Sequence, residues 1–206
     1  MPVQQRRERQ RAERHRLILD TAREIAEAEG WDAVTTRRLA DAIEYSQPVL
    51  YSHFAGKEEI VAAVALDGFG ELAGSLRAEL DSSRHRAEPD ADRPRAEPDA
   101  SGPRAQLAAV ARGYLEFAAA HPAVYAAMFT VDSALKFASA ESPEPLREGF
   151  ALLRDALGAA TGQRDLDTRT ELFWSTLHGL ATLTAGHRLR PQHAQQRLTL
   201  LIAQQG

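Results

Sequence analysis

The stretch from Tyr45 to Glu59, YSQPVLYSHFAGKEE, gathers residue types that suit contact with a phosphate backbone and base edges. Ser46 is placed to cap a short helix over 46–53, and Pro48 then falls at its second position. The proline's missing N–H leaves nothing unsatisfied there, because first-turn amides have no intrahelical partner. Leu50 and Phe54, four apart, are expected to face a core, which puts Gln47, Pro48 and Val49 at the exposed N-terminal tip. Glutamine matches the donor and acceptor of adenine's major-groove edge, and Pro and Val offer apolar contact to a thymine methyl. Arg37 can fork onto guanine or pair with phosphate, while Thr36, Tyr51 and His53 carry short polar tips for phosphate oxygens. Lys57 adds a positive charge at the start of the next helix, a ready anion site.

These side chains need a frame, and the surrounding periodicity supplies one. Leu17, Ile18, Ala22, Ile25 and Ala26 recur at three and four, which predicts a helix over about 11–29 that stops at Gly30. Thr35 is a candidate cap for a second helix, 36–43, with Leu39, Ala40 and Ile43 on one face. The chain turns at Glu44-Tyr45, and Tyr45 and Leu50 are spaced for a hydrophobic staple. Beyond Gly56 a long helix is expected over about 57–80, with Glu58 and Glu59 in the first turn as the helix dipole favours. Two short helices joined by a tight turn, flanked by longer ones, follow the helix-turn-helix plan, whose second short helix lies in the major groove.

The whole chain reads as all-α. Its 206 residues can bury a sizeable core, aromatics are only 6%, and the composition is rich in Ala, Leu, Glu and Arg. Having no cysteine, it has no disulfide framework and no Cys-based zinc site. No apolar run is long enough to span a membrane and the N-terminus is charged, so a cytoplasmic protein with no membrane partner is expected. The net charge of −4 argues against indiscriminate nucleic-acid binding. Positive charge is local: Arg6, Arg7, Arg9, Arg11, Arg14 and Arg16 face only Glu8 and Glu13. That arm is read as a solvated, frayed helix start, with reach into a minor groove as the other reading.

Over 82–104 the composition shifts to SSRHRAEPDADRPRAEPDASGPR, in which RAEPDA occurs twice and no large apolar residue appears. Such a stretch buries too little to offset its ordering entropy, so a disordered linker is expected. Helices resume over 107–120, 122–131, 145–160, 167–185 and 191–204, about nine in all. This gives a helix-turn-helix domain at 1–58 and a second helical domain at 59–206. Trp174 and His178 lie one turn apart and either line a cavity or pack the core. Phe69, Tyr114, Phe117, His121, Tyr125, Met128, Phe129 and Phe150 are the other candidate walls of a pocket for a small, mainly apolar effector. The last two helices are the expected homodimer seam, with Leu177, Leu180, Leu183, Leu198, Leu201 and Ile202 as candidates.

TTRRLADAIEYSQPVLYSHFAGKEEI resembles the DNA-binding domain of the TetR family of repressors, and the W-x-x-x-H-G run at Trp174, His178 and Gly179 is similar to that family's Trp-His-Gly class of C-terminal domain. The resemblance implies base contacts from Arg37, Gln47, Pro48 and Val49, and backbone contacts from Thr36, Tyr51, His53 and Lys57. It also implies an all-helical regulator that dimerises and binds a small-molecule effector through its C-terminal domain, residues 59–206. The mechanism expected of it is binding to a palindromic operator in double-stranded DNA, with release when the effector binds. One departure is Glu44, where the family usually has glycine in the turn; a left-handed backbone there would cost Glu roughly 1–2 kcal/mol. An enzyme is not expected, since His178, His187 and His193 follow no metal-ligand spacing and no nucleophile elbow or phosphate loop occurs. No cofactor and no metal are expected. A DNA-binding regulator whose C-terminal half only dimerises is the nearer alternative, and an all-helical enzyme the remote one.

Overall fold

A computed structural model describes residues 2–87, 102–129 and 141–205. Among the described residues the fold is all-α, with nine α-helices and no strand. No described helix is long and apolar enough to cross a membrane.

The first helix, α1 (Pro2–Glu29), begins nine residues before the expected start. Proline suits the first helical position, and the Gln, Arg, Glu and Ala that follow are strong helix formers. The basic arm is therefore helical, not frayed. Ile18, Leu19, Ala22 and Ala26 form its buried stripe, and the chain leaves it at Gly30, whose φ of 84° only glycine adopts readily. A single 3₁₀ turn follows (Trp31–Ala33).

The helix α2 (Thr36–Ala42) is capped as the sequence suggests, with the Arg38 amide donating to Thr35 Oγ1 at 3.1 Å. The next, α3 (Gln47–Tyr51), differs in two details. Ser46 occupies the cap position but its hydroxyl makes no capping bond; the backbone closes the turn through Val49 N–H to Ser46 O at 3.0 Å. Regular helix ends at Tyr51, because the Ser52 hydroxyl donates to Val49 O at 2.6 Å and the amides of His53 and Phe54 both turn onto Leu50 O.

Between α2 and α3, Glu44 has φ 56°, so the position where the family favours glycine is left-handed here too. Its side chain is exposed and holds no partner among the described residues. Glu44→Gly is therefore expected to raise stability by up to about 1 kcal/mol, strain relief outweighing the added freedom of the unfolded chain. Chemical denaturation measures it.

The helix α4 (Lys57–Ala87) runs seven residues past the expected end, so Ser82 to Ala87 belong to it and not to the linker. Leu76, Leu80 and Ser83 are buried at successive spacings of four and three, which carries the packed stripe one turn beyond the shift in composition. Residues 88–101, with most of the duplicated RAEPDA, lie outside the described residues. The remaining helices are α5 (Pro103–Ala120), α6 (Pro122–Phe129), α7 (Glu144–Thr161), α8 (Leu166–Ala185) and α9 (Ala194–Ala203), the last preceded by a 3₁₀ turn over Pro191–His193.

These elements form two compact units, Met1–Gly68 with His121–Glu141, and Phe69–Ala120 with Ser142–Gly206. In the first, α1 packs on α2 and α6, and α2 on α3. The Trp31 indole donates to Ala123 O at 2.8 Å, and Glu27 accepts from the Ala123 amide at 3.2 Å, so both polar groups of that residue on α6 are held. At Gly68 the α4 and α6 backbones come close: an added Cβ would press into Val124 Cγ1 and meet Met128 Sδ at 3.0 Å. Gly68→Ala is expected to destabilise by about 1–3 kcal/mol through overpacking, read as a lower urea midpoint at unchanged m-value.

In the second unit α5 packs on α7, α8 and α9, burying Leu107, Val110, Tyr114, Leu157, Phe173 and Leu177. The phase of α8 turns Leu166, Thr170, Phe173, Leu177 and Ala181 inward. Leu177, Leu198 and Leu201, expected on the dimer seam, are therefore in the chain's own core. The exposed leucines of this pair of helices are Leu172, Leu183 and Leu200, 65%, 40% and 56% accessible. Periodicity alone reveals an apolar stripe but not which of two stripes on one helix faces home.

Candidate nucleic-acid interface

The first unit presents α3 by its N-terminal tip. Leu50 and Phe54 are buried, and beneath them the His15 ring of α1 stacks on Phe54 with centroids 4.5 Å apart. With that side fixed, Gln47, Pro48 and Tyr51 are exposed and Val49 is half-buried at the edge. Neither Gln47 nor Tyr51 has a partner among the described residues, so their polar groups are free for an external one.

The neighbouring arginines divide. Arg38 forks onto the Glu29 carboxylate, donating through both terminal nitrogens. Their hydrogen bond holds the Glu29 carboxyl below its ordinary range and raises the guanidinium. Arg37 is exposed and unpaired among the described residues, and Thr36 beside it is half-buried. Lys57 has a structural partner that its position in the sequence did not suggest: its ammonium donates to Trp31 O at 2.5 Å, which ties the start of α4 to the turn after α1. Two of its three protons remain uncommitted by that bond.

His53 is half-buried, and its Nδ1 is enclosed without a hydrogen-bond partner. Burial pushes its pKa below the ordinary histidine value, and the charges of Arg11, His15 and Arg14 push the same way. In the second unit burial alone lowers His178. A histidine whose folded pKa lies below its unfolded one takes up its proton more readily on unfolding, so its contribution to stability is lost as pH falls below about 6.5. The melting temperature should therefore drop between pH 7.5 and 5.5, and His53→Gln should make that drop shallower.

The ten residues expected to wall an effector pocket fall in both units. Tyr114, Trp174 and His178 meet in the second, where Trp174 Nε1 donates to Tyr114 Oη at 3.1 Å and the Trp174 and His178 rings lie 6.3 Å apart. Phe69 and Phe117 are buried and Phe150 half-buried in the same unit. In the first unit Tyr125 packs against Phe129 at 4.8 Å, His121 Nδ1 lies 3.1 Å from the Arg23 guanidinium, and Met128 is buried. The second unit also has a cleft of about 440 Å³ between α4 and α5, lined by Glu79, Ser83, Arg112, Glu116 and three alanines. It is polar and includes none of the ten.

Two family models match the chain. One, described as bacterial regulatory proteins of the tetR family, covers residues 18–64 and so the whole helix-turn-helix. The other, described as a tetracyclin repressor-like C-terminal domain, covers residues 107–204, and together they span more than two thirds of the sequence. The chain belongs to the TetR family. Its members are regulators of transcription that bind DNA. Trp174, His178 and Gly179 fall inside the C-terminal match.

Solved structures agree at the level of fold. A protein of unknown function from Rhodococcus sp. RHA1 is 26% identical, with 93% of this chain and 92% of that one covered and a TM-score of 0.66. The protein SCO4313 is 22% identical over 96% and 97% of the two chains, with a TM-score of 0.70. A bacterial regulatory protein of the tetR family from Rhodococcus RHA1 is 18% identical over 93% and 96%, with a TM-score of 0.59. Among curated proteins none matches.

Proposed function

We propose that this TetR-family chain is a repressor that binds a palindromic operator as a homodimer and is released by a small, mainly apolar effector. Residues 1–58 read the DNA, and residues 59–206 dimerise and take the effector. The observation that carries this reading is the exposed tip of α3, where Gln47, Pro48 and Tyr51 face outward over a buried Leu50 and Phe54. Arg37, Gln47, Pro48 and Val49 contact base edges; Thr36, Tyr51, His53 and Lys57 contact phosphates. For His53 the contact is made by Nε2, since Nδ1 is enclosed.

Homodimerisation uses the outward faces of α8 and α9. Leu172, Leu183 and Leu200 are large apolar side chains left accessible on the two last helices, and a two-fold seam covers the same residues on both subunits. The effector site draws on Tyr114, Trp174 and His178, which combine aromatic surface with a neutral imidazole. An effector that favours one arrangement of the dimer moves the two recognition helices off a spacing of about 34–36 Å, one turn of DNA.

Nuclease protection of the DNA bordering the coding region tests the reading. A protected inverted repeat is expected, with protection lost on adding a hydrophobic ligand that also quenches Trp174 fluorescence. Protection that no ligand disturbs would leave a regulator whose C-terminal half only dimerises, and no protected repeat would refute operator binding.

A further inference from the structure

No side chain from Val3 to Arg14 of α1 is buried beyond the half-exposed range, and the first fully buried one is Ile18. Three turns of helix thus serve no core. What distinguishes them is where their charges lie. At 3.6 residues per turn, Arg7, Gln10, Arg11 and Arg14 share roughly 100° of arc, and both glutamates of the segment, Glu8 and Glu13, fall outside it. Like charges at i,i+3 and i,i+4 repel, so aligning three arginines on one acid-free stripe weakens the isolated helix. A polyanion lying along that stripe reverses the sign.

The contacts at the base of the stripe say which way it faces. Arg11 Nη2 donates to Ser52 O at 3.4 Å, just past the end of α3, and the Arg14 guanidinium sits over the Tyr45 ring at 5.8 Å, just before its start. The stripe therefore flanks both ends of the recognition helix. Arg7, one turn outward, continues it by about 6 Å along the axis and has no partner among the described residues. Arg16 behaves differently: it is on another side of α1 and is neutralised by Asp20 and Asp67, at 3.0 and 3.1 Å.

We propose that the first three turns of α1 are a second DNA-binding element, in which Arg7, in line with Arg11 and Arg14, takes a backbone phosphate of the duplex flanking the half-site. This rests on α3 entering the major groove, and it adds contacts that α3 alone does not supply. The arm carries affinity and salt dependence without reading sequence, because it meets only phosphates.

The test is a salt titration of the full-length protein on a duplex recovered by selection from a random pool, comparing the parent with Arg7→Gln, Arg9→Gln and Gln47→Ala. Arg9 has the same charge but lies off the stripe, so it controls for net charge. With two subunits on the duplex and a slope of about 0.9 per phosphate contact, Arg7→Gln should lower the slope of log K against log salt by about two and leave sequence preference unchanged. Arg9→Gln should leave the slope as it was. A parental slope in Arg7→Gln, or an equal fall in both arginine variants, overturns the arm while the parent's preference, and its loss in Gln47→Ala, still upholds the α3 reading. A parent with neither preference nor salt dependence sinks both.

Discussion

Phe54→Ala is expected to lower the stability of the first unit by about 3–5 kcal/mol and to abolish DNA binding near room temperature with it. The ring is 3% accessible, stacks on His15 of α1, and sits where the chain turns from α3 towards α4. Removing it leaves a cavity between α1 and the five-residue α3, whose other buried anchor is Leu50. With a total stability of about 5–15 kcal/mol typical of a domain, that loss is a large fraction of the whole. Urea unfolding followed by circular dichroism gives the number, and Phe54→Leu, closer in volume, should retain most of the stability and the binding. A Phe54→Ala protein as stable as the parent would mean that α3 is held by something other than the packing described.

Gln47→Ala is the second large effect, and it differs in kind. Gln47 is exposed at the first residue of α3 and makes no contact that folding needs, so the melting temperature should not move. Discrimination for the base pair it reads should fall by about 1–3 kcal/mol per half-site, roughly 5-fold to 150-fold, and the loss compounds across the two half-sites of the proposed dimer. Tyr51→Phe removes a phosphate donor instead and should weaken all sequences alike. Competition binding against duplexes changed at one position separates the two. Equal behaviour of both variants across sequences would contradict the assigned roles. Lys57→Ala is a poorer control, because the ammonium also holds Trp31 O and its loss would weaken the fold as well.

Local signals carried most of the helix-turn-helix into the sequence. Thr35, Pro48, Gly30 and the Leu39, Leu50, Phe54 pattern act through neighbours a turn or two away, and the capping bond at Thr35, the left-handed Gly30 and the buried Leu50 and Phe54 follow from them. The left-handed turn at Glu44 was legible for a different reason, since the resemblance marked a glycine position that this chain fills otherwise. What sequence could not supply is pairing at a distance. The Arg38–Glu29 fork, the Lys57 bond to Trp31 O and the Trp31 bond to Ala123 O join residues whose spacing obeys no period, so nothing local announces them. The same limit explains α8, where two leucine stripes compete for the core and only the position of α5 and α7 decides. The end of α4 is hidden in the sequence because a shift to Arg and Ser reads as a linker, although both residues continue a helix whose buried stripe persists to Ser83.

The tip of α3 is expected to read base edges in the major groove of a duplex. The most direct measurement is selection by the purified full-length protein from a pool of random duplexes at low ionic strength. Enrichment of an inverted repeat whose half-sites lie about one helical turn apart is expected, with loss of that enrichment in Gln47→Ala. Recovery of unrelated sequences, bound no better than the starting pool, would contradict it.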